Sequence, residues 1–117
     1  MRTALALLVL TACAPATTVT PVSARVSNGP AAAQQAAHLL TAAGYEVEGQ
    51  SSTEVTSAWR EMDDDASPYM ARWHVTVSGT SATVWLECKM DGKTCARVPH
   101  AGRWQEQADD IASRLGS

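Results

Sequence analysis

Ala71-Arg72-Trp73-His74-Val75-Thr76-Val77-Ser78-Gly79-Thr80-Ser81-Ala82-Thr83-Val84-Trp85-Leu86-Glu87-Cys88-Lys89-Met90 alternates with a period of two on both sides of a glycine. In the first arm Ala71, Trp73, Val75 and Val77 share one face, and Arg72, His74 and Thr76 share the other. In the second arm Val84, Leu86, Cys88 and Met90 are set against Thr83, Trp85, Glu87 and Lys89. Glycine at the first central position suits a two-residue type II′ turn, which puts Gly79-Thr80 at the tip. The register then follows. Val75 faces Val84, Trp73 faces Leu86 and Ala71 faces Cys88. On the opposite face Arg72 meets Glu87, His74 meets Trp85 and Thr76 meets Thr83. Sliding either arm by one residue would bury the charged set, so the parity is strongly specified.

The next turn downstream is equally well marked. Asp91-Gly92 is a type I′ signal, and a turn centred there sets Cys88 opposite Cys95. Facing residues in a ladder sit about 4.5–5.5 Å apart at Cα, within the range of a disulfide. Closing so short a loop is expected to stabilise the domain by about 2–3 kcal/mol in the chain-entropy model.

Upstream, Thr53 to Met62 reads as one strand with Val55, Ser57 and Trp59 on a single face. Tyr45-Glu46-Val47-Glu48 reads as a shorter one, with a turn at Gly49-Gln50-Ser51-Ser52 between them. Asp63-Asp64-Asp65-Ala66-Ser67-Pro68 interrupts the pattern and is expected to be a solvated loop, because three adjacent carboxylates do not converge on one cation. A helix is expected from near Pro30, capped by Asn28 or Gly29 and ended by Gly44, with Ala33, Ala36, Ala37, Leu40 and Ala43 as its apolar stripe. Trp104, Ala108, Ile111, Ala112 and Leu115 mark a closing amphipathic helix, with Asp110 and Arg114 paired on its surface. The expected fold is α+β and two-layered: an antiparallel sheet of four to five strands, with the N-terminal and C-terminal helices packed on one face. Trp59, Trp73 and Trp104 are the expected core aromatics; the chain has no Phe.

The start of the chain has a different character. Met1-Arg2 is basic, Ala4 to Leu10 is an unbroken apolar run, and Leu10-Thr11-Ala12-Cys13 follows at once. A basic start, a short apolar core and small residues before a cut site describe an export signal. The run is far below the roughly twenty apolar residues that span a bilayer. Leu10-Thr11-Ala12-Cys13 resembles the lipobox of bacterial lipoproteins. The resemblance implies that Cys13 receives a diacylglycerol and becomes the first residue of the mature chain. In a Gram-negative cell, Ala14 in place of Asp implies the outer membrane, facing the periplasm. Cysteine parity agrees with that reading: the chain has three cysteines, and lipid on Cys13 leaves Cys88 and Cys95 as a pair.

Residues 1–12 are thus expected to be the signal peptide, 13–29 the lipidated cysteine and a flexible tether, and 30–117 one small domain. Residues 14–29 are rich in Pro, Thr, Ser and Ala; such a tether would reach about 50 Å extended or about 22 Å as a coil. The Ala-rich helix, Gly44-Tyr45-Glu46-Val47, the antiparallel strands and the closing helix look like the helix-grip domains of BamC-like envelope lipoproteins. That likeness covers residues 30–116 in pattern and carries no functional residue across.

The formal charge of −3 becomes −4 once Arg2 is removed with the signal. A mildly acidic chain offers no electrostatic footprint for nucleic acid. It also shows no evident basic patch for anionic lipid, so membrane attachment is expected through the lipid. No nucleophile elbow or phosphate-binding glycine loop is present, Cys88 and Cys95 do not form a CxxC, and His38, His74 and His100 do not share a helical turn. Neither catalysis, a metal nor another cofactor is therefore expected. The more suggestive feature is the polar sheet face, where Trp85 should sit beside His74 with Met70 and Met62 on the same side. A Trp near Met on a nominally wet face is a candidate surface for an envelope protein partner. The alternatives are a small-ligand carrier, using a cleft between the sheet and the Ala-rich helix, and a secreted unlipidated domain cut after Ala16.

Overall fold

The computed structural model describes residues 17–62 and 68–116. The lipobox with Cys13 and the Asp63-Asp64-Asp65 run lie outside the described residues. The elements are β1 (Val22–Arg25), α1 (Gly29–Ala42), β2 (Val47–Gln50), β3 (Glu54–Ser57), β4 (Arg60–Met62), β5 (Tyr69–Ser78), β6 (Ser81–Met90), β7 (Lys93–Thr94) and α2 (Ala101–Leu115).

The long hairpin β5–β6 is the middle of the sheet and has the register its sequence dictates, from Met70↔Lys89 to Ser78↔Ser81. Gly79 at its tip has φ +59°, as the turn requires. Asp91 and Gly92 both have positive φ, at 54° and 75°, which is the type I′ condition. Cys88 and Cys95 are joined by a disulfide across a Cα separation of 5.4 Å. Cys95 N donates to Cys88 O at 3.0 Å, so the bridge reinforces a ladder position beside β7.

All strand pairings are antiparallel, in the order β1-β6-β5-β3-β2, with β4 also on β5 and β7 also on β6. Among the described residues the sheet is therefore five strands wide but contains seven strands, not the expected four to five. Two differences account for the excess. Val22–Arg25, expected in the tether, is a strand pairing with β6 from Val22↔Val84 to Arg25↔Ser81. The folded unit thus starts well before Pro30, and Val26 is buried. The second difference is a split in the Thr53–Met62 strand. β3 pairs with β5 as Val55↔Val75, whereas β4 pairs as Arg60↔Ala71. One extra residue therefore separates the two ladders, at Ala58-Trp59, and parity reverses beyond it.

Both helices have the ends the sequence calls for. Asn28 caps α1, its Oδ1 accepting from Ala31 N at 3.1 Å. Gly44 (φ +96°) closes it with the paired bonds Gly44 N to Thr41 O and Tyr45 N to Leu40 O, a Schellman arrangement that folds Tyr45 back into the core. The buried stripe of α1 is Ala32, Ala33, Ala36, Ala37 and Leu40, while Ala43 is the exposed C-cap. In α2 the buried set is Ala101, Trp104, Ala108, Ile111, Ala112 and Leu115. On its surface Arg114 pairs with Asp110 at 3.1 Å. α1 touches β5, β2, β3 and β6, α2 touches β6 and β1, and the two helices touch each other.

Trp73 is the largest fully buried side chain, packed edge-on against Trp104 with ring centroids 5.9 Å apart. Its amide donates to Ser57 Oγ at 2.8 Å, so the fully buried Ser57 hydroxyl is part of the core's hydrogen bonding. Trp73 Nε1 is buried without a hydrogen-bond partner among the described residues. Trp59, expected beside these two in the core, is half-buried on the opposite sheet face.

Candidate functional site

The polar face of the central hairpin carries a continuous row of side chains: Trp59, Arg72, Glu87, His74 and Trp85. Strand alternation places Arg72 and His74 on one face of β5, and the register brings Glu87 and Trp85 directly opposite. Arg72 Nε donates to Glu87 Oε1 at 2.7 Å. His74 Nε2 bonds to the same oxygen at 2.7 Å. An ionised carboxylate can only accept, so His74 Nε2 donates this bond, and Nδ1 faces the Thr56 hydroxyl at 3.3 Å. Glu54 lies beyond, with Oε1 at 3.8 Å from Nδ1.

The row is closed at both ends by indoles. Trp85 stacks flat on the His74 ring, with centroids 4.0 Å apart and planes 8° from parallel. That stack leaves His74 only 6% exposed on a face whose neighbours are wet. Trp59 lies at the other end, with the Arg72 guanidinium 4.4 Å and Lys89 Nζ 5.0 Å from its ring centroid. Trp59 occupies this place because of the one-residue slip between β3 and β4. The charge balance acts on Glu87. Partial burial pushes its carboxyl up, but hydrogen bonds from His74 and Arg72, with the charge of both, outweigh that. The net displacement is below the usual carboxylate range.

Of the expected partner residues, Trp85 and His74 are in direct contact. Met70 is on the same face and is, among the described residues, the large apolar side chain most open to solvent, 42% exposed. It sits opposite Lys89, four residues along β5 from His74, with Arg72 and Glu87 between. Met62 is not with them. It pairs with the buried Tyr69 and packs on the core, because the slip at Ala58-Trp59 turns it to the apolar face. The hydroxyl–imidazole–carboxylate order of Thr56, His74 and Glu87 is that of a catalytic relay. Here, however, the imidazole is sealed beneath Trp85, and Thr56 sits in a strand paired on both sides. The arrangement fixes His74 in place.

Met62 instead lines a separate cleft of about 480 Å³ with Tyr45, Tyr69, His100, Arg103, Trp104, Glu106 and Gln107. Its size falls in the range of small-molecule sites. Trp104 Nε1 donates to Tyr69 Oη at 3.1 Å, and Tyr45 Oη donates to Gln107 Oε1 at 3.0 Å. Arg60 lies over the Tyr45 ring at 5.0 Å. His100 begins α2 in the left-handed region at φ +56°. This is not the cleft expected beside the Ala-rich helix, whose stripe is buried; no residue of α1 lines it. Its walls come from distant stretches of chain, so nothing in the local sequence pattern announced it.

Among the described residues no group of three or more His, Cys, Asp or Glu gathers to hold a metal ion. No helix among them is long and apolar enough to cross a membrane. No protein-family model matches the chain, and no curated protein shows significant similarity to it.

Proposed function

We propose that this protein is a lipid-anchored component of a bacterial cell envelope, held by acyl chains on Cys13, whose domain binds or scaffolds another envelope protein without catalysis of its own. In a Gram-negative cell it would face the periplasm from the outer membrane. The observation that carries the reading is the Cys88–Cys95 disulfide. Such a bridge belongs to an oxidising compartment. It also uses two of the three cysteines and leaves Cys13, the cysteine of the lipobox, as the odd one.

The partner surface in this reading is the polar face, with Trp85, His74 and Met70 joined by Trp59. Aromatic and arginine side chains together are the composition that protein interfaces favour. In the same reading both helices cover the apolar face, which leaves the polar one open. That two-layer arrangement is supported by the Trp73–Trp104 contact and by Gly29, where a Cβ would come within 3.1 Å of Val77 Cγ1.

The test is the intact mass of the mature protein taken from membranes without reduction. A chain beginning at Cys13, heavier by its acyl groups and lighter by two hydrogens, is the expected result; an unmodified chain beginning at Thr17 would exclude the anchor. Trp85→Ala should then release a partner that co-purifies with the wild type, and retention of every partner would remove this face from consideration. A second reading, a small-ligand carrier, draws on the cleft between Tyr45, Tyr69 and Trp104. A native mass spectrum with a bound small molecule, displaced by Tyr45→Ala, would favour it.

A further inference from the structure

The fold takes hold of the chain almost as soon as it leaves Cys13. Val98 N donates to Thr17 O at 2.9 Å. The Gln105 side chain clasps the backbone of Thr20, with Oε1 accepting from its N–H at 2.7 Å and Nε2 donating to its carbonyl at 3.0 Å. Val19 packs against the core, and β1 begins at Val22. Only Ala14, Pro15 and Ala16 separate Cys13 from Thr17. At about 3.6 Å per residue the two Cα atoms are therefore within ~14 Å of each other. The described fold measures 49 × 36 × 22 Å along its principal axes. A leash shorter than every one of these dimensions does not let the domain turn over.

Resting on the reading of Cys13 as the lipid-bearing residue, we propose that the domain sits directly on the bilayer in one orientation. The surface around Thr17, the Ala96–Val98 segment and the Asp91-Gly92 turn lies against the lipid headgroups. The direction of β1 fixes which end this is. β1 runs toward the Gly79-Thr80 turn, with Arg25 opposite Ser81 and Val26 N bonded to Thr80 O at 2.8 Å. Thr17 lies upstream of β1 and is bonded to the segment that follows Cys95, itself beside Cys88. Along β6, Cys88 is about 26 Å from Thr80 at the spacing of an extended strand. The Gly79-Thr80 turn is thus at the far end of the molecule. Charge does not select this end: Lys89, Lys93 and Arg97 are offset by Asp91 and Glu61, and the acidic stretch Asp63-Asp64-Asp65 joins Met62 to Tyr69 in sequence, so the seating rests on the short leash alone.

The test uses the full lipidated chain with its disulfide intact, in phosphatidylethanolamine–phosphatidylglycerol vesicles containing a nickel-chelating lipid. A nitroxide is placed on Arg97→Cys or on Thr80→Cys, and the intact mass of each preparation reports the acyl group on Cys13. Faster nickel-induced relaxation at position 97 than at 80 is expected. The contrast should be lost when sixteen Gly/Ser residues, with a coil reach of about 22 Å, are inserted between Ala16 and Thr17. Equal relaxation at the two positions in acylated protein would overturn the seating and leave the anchor standing. An unacylated Cys13 would overturn both. A contrast that survives the spacer would overturn the short leash as its cause.

Discussion

Trp73 and Trp85 stand on neighbouring strands of one hairpin and face opposite ways. Trp73 is fully buried, meets Trp104 edge-on and shares its amide with Ser57. Trp85 is half-buried and lies flat on an imidazole that belongs to a charged row. The apolar face is held by area removed from water, a term roughly proportional to the surface covered. The polar face is held by hydrogen bonds and ring contacts whose net worth is small, because water competes for every one of them. A single alternating sequence therefore builds a face that makes the fold and a face that can be changed with little cost to it. The second kind is where a binding surface can be altered without loss of the domain.

The sharpest way to break this contrast is Trp73→Ala. The cavity should cost about 3–5 kcal/mol, a large part of the stability of a domain this size. A urea titration followed by circular dichroism would measure it. Trp73→Phe should cost distinctly less, because the indole N–H it removes has no hydrogen-bond partner among the described residues. Ser57→Ala comes next. It strips the acceptor from a buried amide and should cost about 1–3 kcal/mol in the same titration.

The polar face should respond more weakly and with a pH signature. The Glu87 carboxyl is held below the usual carboxylate range when folded, so its contribution is fully present above the unfolded value and is lost as pH falls through the folded one. Glu87→Gln should cost about 1 kcal/mol near neutrality and flatten the acid limb of the stability–pH curve. An unchanged acid limb would show that other carboxylates govern it. Trp85→Ala should be the mildest, of order 0.2–1 kcal/mol, the scale of one cross-strand pair. A loss as large as that of Trp73→Ala would abolish the distinction between the two faces.

What could be read in the sequence follows the same division. The β5–β6 register was fully legible, because alternation and the turn glycine both fix it and any slip buries charge. Asp91-Gly92 and the two cysteines were legible for the same reason. The slip at Ala58-Trp59 was not. One extra residue leaves normal alternation on either side, and only pairing with β5 reveals that Trp59 and Met62 have changed faces. β1 was hidden by composition: Val22, Ala24 and Val26 do alternate with Ser23 and Arg25, but the surrounding Pro, Thr and Ser read as linker. An edge strand can carry so weak a pattern because it pairs on one side alone. In the polar row Trp85, His74 and the Arg72–Glu87 pair were readable, whereas the Trp59 end and the cleft were not. Both depend on segments far apart in sequence.

The placement of β1 also sets an order of events in time. Ser23 meets Thr83 across 60 residues of chain, whereas β5 and β6 are joined by a two-residue turn. Closing the longer loop carries about 3 kcal/mol more entropy cost, so the β5–β6 hairpin is expected to form before β1 docks against it. On the proposed reading of Cys13 as the lipid-bearing residue, the stretch before α1 would be slack between anchor and domain until β1 docks. On that reading, docking of β1 would take up the slack, so completion of the sheet and seating of the domain at the membrane surface would become one step.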